Sequence, residues 1–249
     1  MIELGILADD LTGGMMVASL LEREGVDCPL VTSVDELESL ANSTATAVVV
    51  ARKIRLIPAK DARKEAIKTV QALKSIGCKR FYYKYCATFD STSQGNIGPI
   101  AEAMMEELDA SRTIFCPAFP EYTVTIFQGR MFLGNTPLGE SFKKNDPVTP
   151  MTNSNLVEVL ASQTNQKVGL IPHSLLLKGT KNIETHLNTL ESTPFFIADA
   201  ADDIDLERIV ELTINWPLTT GADALPIFLA RSWQNHGNAP ERQPKRLLS

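Results

Sequence analysis

Two neighbouring carboxylates, Asp9 and Asp10, stand between a short apolar run and a stretch with helical periodicity. Asp10 or Thr12 can cap that helix by accepting hydrogen bonds from its free backbone N–H groups. Because adjacent side chains diverge, a second carboxylate is left over, and it can accept or orient the proton of a substrate hydroxyl. The glycine pair Gly13-Gly14 then lets a ligand approach the backbone closely. The pattern leaves two interpretations open, helix capping alone or capping beside a hydroxyl-binding carboxylate.

A second polar segment, residues 84–98, follows an apolar run that ends on Lys84. Small and polar residues lead from the lysine into the next helical stretch, among them Asp90, Ser91 and Asn96. A helix N-terminus preceded by such residues offers N–H donors that suit a carboxylate or a phosphate, and Lys84 would add a positive charge. The alternative is a capped turn in which the lysine side chain reaches water.

Motifs of the common nucleotide-binding and hydrolytic enzymes are missing. The sequence has no G-x-G-x-x-G and no G-x-S-x-G motif, and its three histidines are scattered. The segment from Gly129 to Thr136 comes nearest to a P-loop, but Asn135 takes the place of the lysine that would contact the phosphates. We therefore expect neither a P-loop nor a Ser-His-Asp triad. His173 follows a predicted strand, where a structural role is the more common one.

The elements that position these residues alternate along the chain. The runs that predict buried strands are Ile2–Leu7, Thr46–Ala51, Phe81–Cys86, Thr113–Ala118, Val168–Pro172 and Phe195–Ala198. The stretches that predict helices are Gly14–Glu24, Ala59–Ile76, Ile97–Leu108, Ser154–Gln163, Lys181–Leu190 and Leu206–Ile214. This alternation predicts an α/β fold: one large, Rossmann-like three-layer domain, a mostly parallel sheet with helices on both faces. Ligands bind beyond the carboxyl ends of such strands, which is where the polar segments lie.

Composition excludes several classes of function. The 249 residues carry 24 Lys+Arg against 30 Asp+Glu, a formal charge of −6, which argues against a nucleic-acid partner. No apolar run approaches the length of a membrane span, and the N-terminal residues do not resemble a secretory signal. The four cysteines lack C-x-x-C spacing, so we expect reduced thiols in a cytoplasmic protein and no structural zinc. Residues 117–150, rich in proline and glycine, predict a long functional loop.

Several rare motifs, in one order, resemble the four-carbon acid sugar kinase family in the version typical of its 3-oxo-tetronate kinases. They are Ile6-Leu7-Ala8-Asp9-Asp10-Leu11-Thr12-Gly13, the segment from Lys84 to Gly98, Cys116-Pro117-Ala118-Phe119-Pro120, Gln128-Gly129, and Asp146-Pro147-Val148-Thr149-Pro150-Met151-Thr152. The resemblance spans roughly residues 2 to 225. Members of this family transfer the γ-phosphoryl group of ATP, with Mg²⁺, to a hydroxyl of a sugar acid. Their N-terminal domain binds the sugar acid, and their C-terminal domain holds the nucleotide.

The resemblance implies roles for individual residues. Asp9 and Asp10 would be the catalytic pair that faces the sugar hydroxyls, one of them as base. The substrate-binding residues that it implies are Thr12, Gly13, Lys84, Asp90, Ser91, Asn96 and Gln128. A polar cleft rich in donors suits phosphoryl transfer, which depends mostly on positioning and charge neutralisation.

The resemblance also implies a division of the chain. Residues 1–217 would form the sugar-acid-binding domain. Residues 218–249 would be a truncated start of the ATP-binding domain, with a helix-like stretch at Ala224–Trp233 and a polar tail from residue 235. We therefore expect the full-length members of the family to use ATP and Mg²⁺. We expect neither of them to bind tightly to this chain, and we expect the isolated chain to be inactive. The expected partners are a small-molecule sugar acid and either a separate ATP-domain chain or a homo-oligomer, with no nucleic acid, membrane or metal.

Three departures from the family pattern leave alternatives open. Val124 replaces the arginine of the usual Asn-Gly-Arg-Thr motif, Met15 or Met16 occupies a commonly acidic position, and Asn153 replaces an aspartate. A non-catalytic sugar-acid-binding or regulatory module is therefore the second hypothesis. A Rossmann-like oxidoreductase is the third, and the missing dinucleotide motif disfavours it.

Overall fold

The computed structural model describes residues 2–190 and 192–235. The strands within these residues are β1 (Leu4–Ala8), β2 (Leu30–Val31), β3 (Ala47–Ala51), β4 (Arg80–Lys84), β5 (Thr113–Cys116), β6 (Val124–Phe127), β7 (Arg130–Leu133), β8 (Thr136–Pro137), β9 (Val168–Ile171), β10 (Phe195–Ala198) and β11 (Leu218–Gly221). The α-helices are α1 (Leu11–Arg23), α2 (Ala59–Ser75), α3 (Ile97–Leu108), α4 (Leu156–Ala161), α5 (His173–Leu176), α6 (Thr180–Thr189), α7 (Asp203–Thr213) and α8 (Leu225–Asn235). Short 3₁₀ helices cover Val34–Leu40, Pro120–Tyr122, Leu138–Glu140 and Phe142–Asn145.

Eight strands form one parallel sheet in the order β2-β3-β1-β4-β11-β5-β10-β9. Strands β1 and β3 are buried along their whole length, because helices cover both faces of the sheet. Their residues are therefore apolar on both sides of the strand. One helix layer contains α2, α3 and α4, and the other contains α1, α8, α7 and α6. The predicted α/β class with a helix-covered parallel sheet is confirmed.

The predicted strands and helices are present, and their ends differ from the prediction by a turn or less. Helix α3 spans the predicted residues Ile97–Leu108. The boundary predicted after residue 217 falls inside the sheet, because β11 pairs with β4 on one side and β5 on the other. This strand carries two threonines and so has a weak apolar pattern, but the Thr220 hydroxyl donates to the Ile114 carbonyl at 2.7 Å and is satisfied there.

The prediction of a structureless loop over residues 117–150 is wrong. Strands β6, β7 and β8 form a separate antiparallel sheet in this region. Gln128 and Gly129 make the turn between β6 and β7 with φ of +52° and +70°, the left-handed values that the tightest hairpins need. Alternating apolar residues on both sides of that turn carried a strand signal that the proline and glycine content obscured.

Two further findings concern the chain as a whole. All four cysteines are free thiols. Among the residues that the structure describes, no helix has the length and apolar character to cross a bilayer. The polar tail predicted from residue 235 lies, from residue 236 onward, outside the described residues.

Candidate functional site

Three adjacent strands bring charged side chains to one edge of the sheet. Strands β1, β4 and β11 are neighbours in parallel register, so their carboxyl ends deliver Asp9, Asp10, Lys84 and Asp223 to the same place. The loop after β3 adds Arg55, whose backbone N–H donates to the Asp9 carbonyl at 3.2 Å. We call these five residues the carboxyl-edge cluster.

Asp9 and Arg55 form a buried, two-point ion pair within the cluster. Asp9 is 1% exposed, and both of its carboxylate oxygens accept hydrogen bonds from the guanidinium, 2.9 Å from Nε and 2.7 Å from Nη2. Burial raises the pKa of Asp9 above its ordinary value although the hydrogen bonds and charge of Arg55 act in the opposite direction. Burial alone would lower the pKa of Arg55, but its contacts with Asp9 raise it. Asp9 therefore orients Arg55, and at 1% exposure its carboxylate is closed off from a ligand in solvent.

Asp10 is the helix cap. Its Oδ1 accepts from the Gly13 backbone N–H at 2.7 Å, and its Oδ2 lies 3.1 Å from Nη2 of Arg55. The side chain is 32% exposed, far more than that of Asp9. Thr12 is exposed in the first turn of α1 and does not cap it. The structure thus assigns the capping role to Asp10, which is also the acid of the pair that faces solvent.

Lys84 does not reach water, so the interpretation of a solvent-directed lysine is wrong. Its side chain is 2% exposed, and its Nζ donates to the Tyr85 carbonyl at 2.8 Å and lies 3.3 Å from Oδ1 of Asp223. The space for this ammonium group exists because Gly13 has no side chain: a Cβ there would lie 2.6 Å from Nζ. The close approach expected at this glycine is made by Lys84 itself.

Asp90 belongs to a second polar network beside the cluster. Its carboxylate accepts from the Thr88 hydroxyl at 2.6 Å and from Nζ of Lys143 at 2.9 Å. Lys143 is itself buried and also donates to Asp146 at 2.7 Å. The Cys86 thiol donates to Asp90 at 3.3 Å, and burial raises the pKa of this thiol. The ion pairs join the 85–96 turn to the segment that follows β8.

Ser91 and Asn96 are buried and make mainly structural contacts. The Ser91 hydroxyl accepts from Nε2 of Gln163 at 2.8 Å, and a Cβ at Gly95 would lie only 1.8 Å from that hydroxyl oxygen. The amide nitrogen of Asn96 donates to three carbonyls of the loop that carries Arg55, at 2.8, 3.2 and 2.8 Å. Asn96 therefore positions Arg55, and its Oδ1 is buried without a hydrogen-bond partner among the described residues.

Gln128 lies at a different part of the same edge. The backbone N–H groups of Gln128 and Gly129 both donate to Asp199, at 2.8 Å each, just beyond the end of β10. Two strands separate β10 from β4, so at strand spacing this position is roughly 14 Å from the end of β4. His173 joins the same group through its backbone N–H, and its Nδ1 lies 3.0 Å from Asp205. The structure does not bring Gln128 to the carboxyl-edge cluster.

Three residues of the site were missed by the sequence reasoning. Arg55 closely follows the second predicted strand, Thr46–Ala51, and its charge just beyond a strand end was an available signal. The family resemblance places Asp223 at the start of a second domain, and no strand is predicted before it. Lys143 is 53 residues from Asp90 in the chain, and no local pattern connects the two.

The positions that depart from the family pattern have ordinary structural environments. Val124 is 7% exposed in β6, a buried position that suits an apolar side chain. Met15 and Met16 are 56% and 42% exposed on the first turns of α1. Asn153 donates to Glu158 at 2.8 Å.

Cavities and metal-binding potential do not point to another centre. Cavities of about 300, 490 and 440 Å³ share Ser111 at the amino-terminal edge of the sheet, opposite the cluster. One of about 360 Å³ lies between Ser91 and Thr152. In the part of the chain that the structure describes, no group of three or more His, Cys, Asp or Glu side chains has the arrangement of a metal site.

The model of a family described as sugar-binding N-terminal domain matches residues 4–227. The chain belongs to this family. A curated relative, the 3-oxo-tetronate kinase of Pseudomonas savastanoi pv. phaseolicola, is 39% identical over 94% of this chain and 55% of its own length. The chain thus spans about half the length of the curated relatives that it matches.

Solved structures agree with this placement. A Haemophilus influenzae protein has a TM-score of 0.87 and 34% identity over 94% of this chain and 57% of its own. A Bordetella bronchiseptica protein, described as a domain-swapped dimer with bound citrate, has a TM-score of 0.79 and 25% identity over 96% of this chain and 59% of its own. The sugar-binding domain is therefore supported by sequence and by fold.

Proposed function

We propose that this chain binds the sugar acid in a kinase that phosphorylates a tetronate or 3-oxo-tetronate hydroxyl. The observation that carries the proposal is the carboxyl-edge cluster, which places two cations and three carboxylates beyond the ends of four adjacent strands, β3, β1, β4 and β11. Cations can bind the carboxylate of a sugar acid, and carboxylates can accept its hydroxyl protons. The names of the curated relatives support the substrate class.

Within this proposal Asp9 and Asp10 have different roles. Asp10 is the residue that accepts the hydroxyl proton or orients it, because it is the more exposed of the pair. Asp9 holds Arg55 and acts through it. Lys84 and Arg55 attract the substrate carboxylate, while Thr12 and Gly13 border the same space.

The remaining predicted residues take supporting roles. Asp90 and Ser91 shape the turn beside the cluster, and Asn96 positions the loop of Arg55. Gln128 would contact a ligand only if that ligand extended toward β10, and a four-carbon acid is too short to do so.

ATP and Mg²⁺ enter the proposal through the relatives' activity and not through residues described here. Asp9, Asp10 and Asp223 each lie against Arg55 or Lys84, and a carboxylate that already has a cation partner is a poor metal ligand. We therefore assign no residue of this chain to the phosphoryl donor. The donor would be held by another part of the protein, in the same chain, a separate chain or a homo-oligomer.

A non-catalytic sugar-acid-binding module is the second candidate. The observation that favours it is Val124, an apolar and buried residue where the family resemblance implies an arginine. This candidate shares the binding site but not the phosphoryl transfer.

Titration calorimetry with erythronate, threonate and their 3-oxo forms tests the shared binding claim. We expect saturable binding of at least one acid, and a loss of about tenfold or more in Lys84→Met. Lys144→Met, which removes an exposed lysine, is the matched control and should bind as the wild type does. Absence of binding, or equal binding by Lys84→Met, would contradict the proposal. Adding ATP with Mg²⁺ and the rest of the kinase then separates the two candidates, since only the first yields a phosphorylated acid.

A further inference from the structure

Lys84 is the cation at the centre of the cluster, yet its charge already has a counter-ion. Oδ1 of Asp223 lies 3.3 Å from its Nζ, and Asp223 is 8% exposed. This oxygen has no well-directed hydrogen bond within the described residues. A buried carboxylate oxygen without a hydrogen bond is poorly compensated for the water it has lost, so this ion pair is the least satisfied contact of the cluster.

Both cations of the cluster already have carboxylate partners, so an anionic ligand must compete for them. Arg55 is already shared between Asp9 and Asp10. With every group ionised, three carboxylates face two cations, one negative charge in excess. If the charge of Asp223 is removed, the cluster becomes neutral and Lys84 loses its counter-ion.

We propose that Asp223 is a specificity-determining residue, which competes with the carboxylate of a ligand for the ammonium group of Lys84. The inference rests on the proposed function, since the ligand class, a four-carbon sugar acid, comes from there. Ionised Asp223 favours a neutral polyol over the corresponding acid. A sugar acid binds Lys84 either by displacing the ionised Asp223 carboxylate or when Asp223 is protonated.

The surroundings of Asp223 define how this competition depends on pH. The charged and titratable groups that face it are Lys84 on β4, Asp10 at the start of α1, Arg55 after β3, and Tyr82, whose hydroxyl donates to the neighbouring Ala222 carbonyl at 2.8 Å. Burial raises the pKa of Asp223, while the charge of Lys84 opposes that shift. Acidification protonates Asp223, and binding of an anion strengthens as the pH falls.

The test compares an acid with its neutral analogue. Asp223→Asn should bind erythronate at least about tenfold more tightly than the wild type at pH 8, with unchanged affinity for erythritol. Asp223→Ser repeats the measurement with a smaller residue in case the asparagine disturbs folding. The gain should disappear when Lys84→Met is added, and Asp61→Asn, which removes one charge from an exposed position on α2, should show none. Equal erythronate affinity in the Asp223 variants and the wild type, or an equal gain for erythritol, overturns the proposal.

Sulfate, as a simple anion probe, keeps this inference separate from the choice of sugar. Sulfate should raise the melting temperature of Asp223→Asn more than that of the wild type, because Lys84 is then unpaired. If no variant binds a tetronate but sulfate discriminates, the proposed function fails and the role of Asp223 stands. If the wild type binds erythronate and neither probe discriminates, only the role of Asp223 fails. If neither tetronate binding nor discrimination by sulfate is found, both fail.

Discussion

Replacement of Arg55 by methionine should show how strongly the cluster depends on its buried ion pair. The substitution leaves Asp9, 1% exposed, without the two hydrogen bonds of 2.9 and 2.7 Å that satisfy its carboxylate. Breaking a buried pair by removing one partner reduces the free energy of unfolding by about 3–5 kcal/mol. Arg23→Met is the matched control, because Arg23 pairs with Glu121 at 3.5 Å across an exposed surface and should contribute no more than about 1 kcal/mol.

The pH dependence of this loss follows from the state of Asp9. In the unfolded chain Asp9 is ionised above about pH 4. In folded Arg55→Met, burial without the hydrogen-bonded guanidinium keeps the Asp9 carboxyl protonated to higher pH, so the folded state binds the extra proton. The free energy of unfolding of the variant then falls by about 1.4 kcal/mol for each pH unit over which folded Asp9 stays protonated. The gap in stability between the variant and the wild type therefore widens between pH 5 and pH 8.

Urea unfolding of wild type, Arg55→Met, Asp9→Asn and the double variant at pH 5 and pH 8 measures these quantities. The double variant should be more stable than Arg55→Met alone at pH 8, because it buries no unpaired charge. A loss no larger than that of Arg23→Met would refute the reasoning. So would a loss in Arg55→Met that is the same at the two pH values.

Three further predictions concern the surroundings of the cluster. Gly13→Ala should weaken tetronate binding in calorimetry by about tenfold or more, since its Cβ would lie 2.6 Å from Nζ of Lys84; unchanged affinity would contradict this. Lys143→Met should lower the free energy of unfolding by about 1–3 kcal/mol, as it leaves the Asp90 carboxylate without its cation, whereas Lys144→Met should have little effect; similar losses would argue against the network. Asn96→Ala should lower the free energy of unfolding by about 2–4 kcal/mol, because it removes the hydrogen bonds to the carbonyls of Ile54 and Ile57 in the loop after β3. A change below 1 kcal/mol would show that the amide is dispensable.

The fold was predictable where one physical signal dominated. Strand β3, Ala47–Ala51, is buried on both faces and reads as an uninterrupted apolar run. Helix α3, Ile97–Leu108, has a strong apolar stripe and was located to the residue. The family resemblance places strand β11 in another domain, and two threonines weaken its apolar pattern; in the sheet the Thr220 hydroxyl donates to the Ile114 carbonyl and lies 3.1 Å from the Tyr85 hydroxyl.

The site was predictable in its location and less so in its contacts. The rule that ligands bind beyond strand ends correctly indicated Asp9, Asp10 and Lys84 as neighbours. It could not show that Asp9 is fully engaged by Arg55, because that contact depends on the path of a loop. It also could not bring Asp223 to Lys84, since that needs the strand order of the sheet.

An amide-resolved NMR titration of the chain with erythronate tests the central claim most directly. The account predicts saturable shifts at Gly13, Lys84, Tyr85 and Asp223, which border the carboxyl-edge cluster. Shifts confined to the opposite edge around Ser111, or none at saturating concentrations of any tetronate or 3-oxo-tetronate, would contradict it.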